Sequence, residues 1–364
     1  MSVASLSLRN FSAFREAEFE FSPGLNVLIG ANATGKSHAM KLIYSILKIK
    51  SAGVNGAVAE PPSGEMTTLK LQEKLQRVFR PEDGRIGRLV TRAQGRNHAE
   101  IGLKWREKEF SFNFSTLDKL TVERDTLPAV ESCLFMPTRE LLSMYPGFIA
   151  AYEGRELEFD DTYYDLSLAL SATPLRGPRL ASAAELLEPL ERAVLRKVVL
   201  KGGRFYLAAK GEGVMEASLA AEGLRKVASL MHLIANGSLA KAGVLFWDEP
   251  ETNLNPRLAT VIARLLMKLA GAGVQLFVAT HDYLLSNEFS LAAEYQTDEG
   301  KASRPRFFCL SRAKLNAPIQ IATGGTLAEV PDNPILQEFA AHYDREQNLF
   351  YGRESAEPRE RKSK

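Results

Sequence analysis

Apolar and polar residues alternate at the start of the chain, where Leu6 and Leu8, then Phe19 and Phe21, predict two short half-buried strands. Leu25 to Ile29 abandons the alternation for a continuous apolar run, the pattern of a strand buried on both faces, and it ends in glycine. From Ser37 to Lys50 the period becomes helical, with Met40, Ile43, Tyr44 and Leu47 on one face. The opening order is strand, loop, helix. Ser51 to Gly64, rich in Gly, Ala and Pro and without periodicity, reads as a surface loop. Leu69, Leu71, Leu75, Val78 and Phe79 predict a short helix, and the alternation from Arg85 to Phe114 predicts an antiparallel meander, an accessory β-subdomain.

Further along, Cys133 to Met136 is a buried strand that feeds a loop at Pro137. Arg139 to Arg196 is mostly helical in pattern but interrupted by Pro146, Pro174, Pro178 and Pro189, which excludes a long coiled coil. Lys197 to Ala208 reads as a hairpin turning at Gly202-Gly203, and Glu222 to Ile234 as a long helix. Val244 to Trp247, Leu258 to Ala270 and Val274 to Ala279 then form a strand–helix–strand unit, which implies a parallel pairing. No internal repeat is visible. The expected organisation is a first lobe over 1–138, a helical insertion over 139–196, a second lobe over 197–350 and a charged, disordered tail over 351–364.

Composition narrows the class without changing this picture. With 45% hydrophobic and 25% charged residues the chain is an ordinary globular protein, and its apolar runs are far short of the roughly 20 residues that span a bilayer. Met1 to Leu6 shows neither a basic nor a long apolar leader, so residence in the cytoplasm, away from membranes, is expected. Cys133 and Cys309 both lie in apolar, strand-like surroundings and are expected to be buried thiols, with no disulfide framework or zinc hook. A net charge of +2 does not imply a nucleic-acid partner by itself; that claim must rest on local clusters.

The chemistry is concentrated in three places. Gly30-Ala31-Asn32-Ala33-Thr34-Gly35-Lys36-Ser37 satisfies G-x-x-x-x-G-K-[ST] between a predicted strand and a predicted helix. Small residues there let backbone N–H groups turn inward around phosphate oxygens, and the helix adds its positive dipole end. Lys36 would reach the β- and γ-phosphates of ATP, and the Ser37 hydroxyl would ligate magnesium. Val244-Leu245-Phe246-Trp247-Asp248-Glu249 is an apolar strand that ends in two carboxylates. Asp248 would hold the magnesium through water, and Glu249 would orient and deprotonate the attacking water. Val274 to Thr280 delivers His281 at a strand end, where a sensor of the γ-phosphate would stand.

At these residues the chain resembles the ABC-class ATPases of the SMC and RecF type, and more closely the stand-alone bacterial AAA family ATPases related to overcoming-lysogenisation-defect proteins. The likeness covers most of the chain. It implies an α/β P-loop NTPase with an ABC-type head: a mixed central sheet, an antiparallel β-subdomain and a helical insertion. It makes Gly30 to Ser37 the Walker A motif, with the adjoining His38 counted among the nucleotide-binding residues, Val244 to Glu249 the Walker B motif, and His281 the switch histidine. Pro250 to Pro256 resembles the D-loop, in a run close to D-E-P-E-x-N-L-N-P that includes Asn253 and Asn255. Ala220 to Lys226 stands where the signature motif belongs. Its Ala221, Glu222 and Gly223 would face a nucleotide held by the opposite subunit, and Ala221 replaces the serine usual in the wider class. Arg9-Asn10-Phe11 resembles the segment that borders the nucleoside, which implicates Asn10; a half-buried aromatic in a strand is an equal reading. The loop after Met136 reads Pro137-Thr138-Arg139-Glu140 and lacks the family's glutamine. Either Thr138 or Arg139 replaces it, or Arg139 and Glu140 are capping and surface charges.

The resemblance implies an ATP- and magnesium-dependent dimer of heads that controls a separate effector protein, in phage defence or DNA maintenance. A RecF-like clamp on duplex DNA is the rival, with Arg85, Arg88, Arg92, Arg96, Lys104, Arg106 and Lys108 as its basic patch, diluted by Glu100, Glu107 and Glu109. A subunit that uses ATP only as assembly glue is the third. No Toprim-like pattern follows His281, so a nuclease centre of its own is not expected.

Overall fold

The computed structural model describes residues 2–51, 64–92, 95–130, 132–239, 243–314 and 317–354. Strands β1 (Ser5–Phe11) and β2 (Phe14–Glu20) form the first hairpin, then β3 (Leu25–Gly30) runs into α1 (Lys36–Lys50) and α2 (Glu65–Phe79). Two 3-10 turns precede β4 (His98–Trp105), β5 (Lys108–Ser115) and β6 (Leu120–Asp125), and β7 (Cys133–Met136) follows. Next come α3 (Phe148–Glu153), α4 (Asp161–Ser171) and α5 (Pro178–Val194), then β8 (Lys197–Lys201), β9 (Arg204–Ala209), β10 (Gly213–Glu216) and α6 (Glu222–Ala235). The chain continues with β11 (Val244–Asp248), α7 (Pro256–Gly271), β12 (Gln275–Ala279), α8 (Tyr283–Glu294), α9 (Asp298–Ser303), β13 (Arg306–Ser311), β14 (Gln320–Gly324) and α10 (Pro334–Glu354).

The central sheet has the order β14-β13-β3-β12-β11-β7, parallel throughout except for β14. Its strands are apolar on both faces because both are covered, and alternate residues part into two cores. Val27, Ile29, Leu245, Trp247, Leu276 and Val278 face one core with α4, α6 and α7; Leu28, Phe246, Phe277 and Phe308 face the other with α1. On that second side lies the five-stranded antiparallel sheet β2-β1-β4-β5-β6. The expected meander is therefore the outer part of a sheet begun by the N-terminal hairpin, and its strands start at His98 rather than at Arg85.

Residues 139–196 are helical, yet they do not form a separate layer. Leu166, Leu170, Leu187 and Leu190 belong to the same core as Trp247. Pro189 lies inside α5 rather than ending it; the ring removes one donor, while Leu187 and Leu190 keep the helix packed. A largely buried polar network ties this segment to α1 and α2. Lys41 Nζ bonds Asp160 at 2.7 Å, Lys74 bonds Asp165 at 2.5 Å and also Asp161, and the Tyr44 hydroxyl donates to Asp165. Burial alone would raise the Asp165 carboxyl, but Lys48 and Lys74 hold it below its ordinary value.

Cys133 and Cys309 are buried and free, and burial pushes both thiols up to about 11. Among the described residues no helix is long and apolar enough to cross a membrane. The helix α10 runs to Glu354, past the expected start of the tail at 351; the residues beyond, like the inner part of the loop from Ser51 to Gly64, lie outside the described residues.

Candidate active site

Three neighbouring strands end at the same edge of the sheet. β12 lies between β3 and β11, so the loop after β3, the carboxylates at the end of β11 and the Thr280-His281 pair after β12 fall side by side. Two backbone bonds continue the ladder past the strands: Glu249 N–H to the Ala279 carbonyl at 2.9 Å, and Thr280 N–H to the Leu28 carbonyl at 3.0 Å. A cavity of about 440 Å³ opens there, lined by Ser12, Ala13, residues 32–38 and Glu249.

The loop from Gly30 to Gly35 is held in a conformation that only its small residues tolerate. Gly35 has φ +95, and a Cβ on it would lie 2.7 Å from the Phe14 ring; Ala33 also has positive φ, at 62°. Gly35 is the cap of α1, whose first turn carries no acidic side chain to compete for its N–H groups. Lys36 Nζ folds back on the loop, donating to the Gly30 carbonyl at 2.7 Å and the Ala31 carbonyl at 2.9 Å. Burial lowers its pKa, opposed by the field of Asp248, Glu249 and Glu251. The Thr34 hydroxyl closes the loop on the Ala31 carbonyl at 2.9 Å.

Ser37 hydrogen-bonds to the Asp248 carboxylate, whose pKa is raised chiefly by burial and further by Glu249, while Ser37, Lys41 and Lys36 act the other way. A hydroxyl and a half-buried carboxylate are hard oxygen ligands of the kind that magnesium takes, with phosphate oxygens and water filling its remaining positions. Among the described residues no group of three or more His, Cys, Asp or Glu side chains forms a metal site.

Glu249 has φ +51, and its carboxylate lies 3.3 Å from His281 Nδ1 and accepts from the Thr252 hydroxyl at 3.3 Å. The parallel pairing of β11 with β12 places Glu249 and His281 together. Glu251 is the residue sequence reasoning passed over. Burial raises its carboxyl, its Oε1 accepts from the Thr280 hydroxyl at 2.7 Å and from the His281 N–H at 3.3 Å, and its Oε2 is buried. It thus holds the segment that presents the histidine.

Among the other expected residues, His38 lines the cavity, whereas Asn10 and Asn255 do not. Asn10 Nδ2 donates to the His98 carbonyl at 3.3 Å, and the cavity wall nearest it is made by Ser12 and Ala13 instead. The side chain of His38 meets the Ser12 hydroxyl and the edge of Phe79, 5.4 Å between ring centroids, and burial lowers its pKa. Asn255 caps α7, accepting from Leu258 N–H at 2.9 Å. Glu140 accepts from Arg225 Nε at 2.7 Å and from Ser143 N–H at 3.1 Å, so the buried side chain in the expected glutamine loop is Glu140, which closes a turn and also grips α6; the Arg139 side chain is exposed.

Ala221 caps α6 without a side-chain bond, and both it and Glu222 are exposed, whereas Gly223 is buried. A Cβ on Gly223 would meet the Asn253 carbonyl at 2.1 Å. Gly223→Ala is therefore expected to cost about 1–3 kcal/mol through forced movement of the turn, read as a lowered thermal midpoint accompanied by slower ATP turnover.

Comparison with known proteins adds two sequence families and a fold. Residues 140–287 match the family described as "AAA domain, putative AbiEii toxin, Type IV TA system", and residues 1–113 match that described as "AAA ATPase domain". The DNA replication and repair protein RecF of Streptococcus uberis is 45% identical over 51 residues, and that of Desulforamulus reducens 44% over 48. Those matches span 14% and 13% of each chain, so the likeness to RecF is confined to about a seventh of its length. Among solved structures, the SMC head bound to the C-winged helix domain of ScpA superposes with a TM-score of 0.50 at 12% identity, covering 90% of this chain and 98% of that one. The SMC head domain from Thermotoga maritima gives 0.48 at 14% identity over 89% and 99%.

Proposed function

We propose that this chain, an SMC/RecF-like ABC-class ATPase by sequence family and fold, binds ATP with magnesium between the P-loop and Glu249 and hydrolyses it when a second head closes over the nucleotide. The observation that carries this reading is the convergence of Lys36, Ser37, Asp248, Glu249 and His281 at the ends of β3, β11 and β12. Lys36 leaves the two carbonyls it now bonds and takes β- and γ-phosphate oxygens. The loop N–H groups and the start of α1 hold the phosphate chain. Magnesium, held by Ser37 and Asp248, supplies charge neutralisation on the phosphates. Glu249 accepts the proton of the attacking water, and His281 stands against the same carboxylate to orient it and the γ-phosphate.

In the closed dimer, the exposed start of α6 at Ala221 and Glu222, with the N–H groups of its first turn and the nearby Asn253 and Asn255, faces the partner head's nucleotide. A separately encoded effector protein reads the closed state. That one matched family is described as a putative toxin of a type IV toxin–antitoxin system supports a two-component arrangement; its proposed setting is defence against phage, in the cytoplasm. Phosphate release and ATP-dependent mass measured on one preparation test the reading: release without any ATP-dependent dimer removes the second head from it, and a dimer without release reduces ATP to assembly glue.

A nucleic-acid clamp retains one specific support. Arg88 and Arg92, distant in sequence from Arg15 and Arg312, join them around a cavity of about 290 Å³ that shares Ser12 and Ala13 with the nucleotide cavity. Arg88 itself pairs with Glu82, and the rest of the expected patch is dispersed: Arg85 pairs with Asp118, and Glu100 and Glu109 pair with Arg9 and Arg124. Salt-dependent binding of duplex DNA that disappears on reversing Arg88 and Arg92 to Glu would make the clamp the better reading.

A further inference from the structure

Lys226 lies on the face of α6 that its apolar neighbours Val227 and Leu230 turn to the core, and only 3% of its surface is exposed. A lysine in that position needs partners, and its partners are main-chain oxygens: Nζ donates to the Glu249 carbonyl at 2.7 Å and reaches the Thr252 carbonyl at 3.4 Å. One helical turn earlier, Gly223 lets α6 approach so closely that the Asn253 carbonyl occupies the place of a Cβ. α6 thus grips the turn at Glu249, at Thr252 and at Asn253. That turn needs gripping, because Glu249 and Asn253 both have positive φ, 51° and 63°, which residues with side chains resist.

We infer that Lys226 is a positioning residue for ATP hydrolysis: its bonds to the main chain at both ends of the 249–252 turn hold the Glu249 carboxylate toward the nucleotide cavity. Since Lys226 shares a helix with Ala221 to Gly223, the base of one head and the segment that the head offers to its partner move as one body. Closure of the second head is thereby transmitted to the proton acceptor of the first. Burial lowers the pKa of the ammonium to about 8 against the opposing field of Glu251 and Glu249, so the bonds to the turn, rather than solvation, keep it in place. The inference rests on Glu249 being the base.

Its test uses the full chain and three variants, Lys226→Met, Lys226→Arg and Glu249→Gln, with kcat, KM, the Kd of a fluorescent ATP analogue and the thermal midpoint measured on each. Lys226→Met should lower kcat by about 10–100-fold, the scale of a misplaced reacting group, while the Kd changes by less than about threefold. Lys226→Arg, which keeps the charge and the donors, should lose less. In the Glu249→Gln background, Lys226→Met should cause no further loss, because a base that is absent cannot be misplaced. An unchanged kcat overturns the inference, as does the same fractional loss in both backgrounds or a loss of nucleotide affinity that follows the thermal midpoint. If Lys226→Met does not fold, Lys226→Gln, too short to reach both carbonyls, decides: reduced kcat at unchanged KM supports positioning, and wild-type kcat refutes it. A wild-type chain that releases no phosphate would sink the hydrolytic reading itself, an outcome separate from wild-type turnover that Lys226→Met leaves intact.

Discussion

Glu249→Gln is expected to bind ATP as the parent does and to hydrolyse it about 10²–10⁴-fold more slowly, the range that a positioned general base contributes. Gln matches Glu in size, can still face His281 and the Thr252 hydroxyl, and leaves the Ala279–Glu249 backbone bond untouched, so the positive-φ turn should persist. What it lacks is a proton acceptor. Nucleotide should then accumulate unhydrolysed, and an ATP-dependent dimer, transient in the parent, should be stable enough to be seen by light scattering. Single-turnover phosphate release with magnesium present measures the first effect; mass with and without ATP measures the second. A Gln variant that hydrolyses ATP at the parental rate would remove Glu249 from the role of base, and with it the reason for the Lys226 grip.

Lys36→Ala acts one step earlier. Two lost hydrogen bonds to charged phosphate, at about 1.5–3 kcal/mol each, amount to about 10²–10⁴-fold in Kd, enough to abolish detectable binding at ordinary concentrations. The empty loop is affected as well, since Lys36 now satisfies the Gly30 and Ala31 carbonyls and Ala cannot. Burial depresses the Lys36 pKa, so its removal also relieves a desolvation cost, and the net change in folding stability should be small beside the change in affinity. Titration with a fluorescent ATP analogue alongside a thermal melt separates the two. Tight binding by Lys36→Ala would mean that the backbone cradle alone holds the phosphates.

The elements nearest the P-loop were the most legible. Leu25 to Ile29 is apolar on both faces because β3 lies between β13 and β12, and Met40, Ile43, Tyr44 and Leu47 recur with the helical period because α1 covers that sheet. Other elements carried weaker local signals. β10 is four residues long and mostly exposed, so it has little apolar pattern to show. β1 and β2 were readable as strands, but their place at one side of the antiparallel sheet depends on pairing with β4, about ninety residues away. Pro189 misled as a break because proline disfavours a helix interior locally, while burial of Leu187 and Leu190 is decided elsewhere.

The same division runs through the site. Motif and order along the chain were enough to single out Lys36, Ser37, Asp248, Glu249 and His281: the first two open α1 after the apolar β3, and the others close or follow the apolar runs of β11 and β12. Asn10 was drawn from the likeness of Arg9-Asn10-Phe11 to the segment that borders the nucleoside in SMC-like heads, and its amide is engaged with the His98 carbonyl. Lys226 and Glu251 lay inside strings already noted, and the one available signal was a lysine on the apolar stripe of α6 beside Val227 and Leu230.

By itself, then, the sequence determined a G-x-x-x-x-G-K-S loop between strand and helix, the order of the motifs after it and the apolar strands that carry them. Local spacing is sufficient for these, because the loop and the strand ends are made by contiguous residues. The tertiary structure alone decided that β12 separates β3 from β11, that Gly223 meets Asn253, and that Lys226 holds the main chain beside the carboxylate of Glu249. Those contacts join residues 23 or more positions apart through buried hydrogen bonds and close packing, which leave no period in the chain to read.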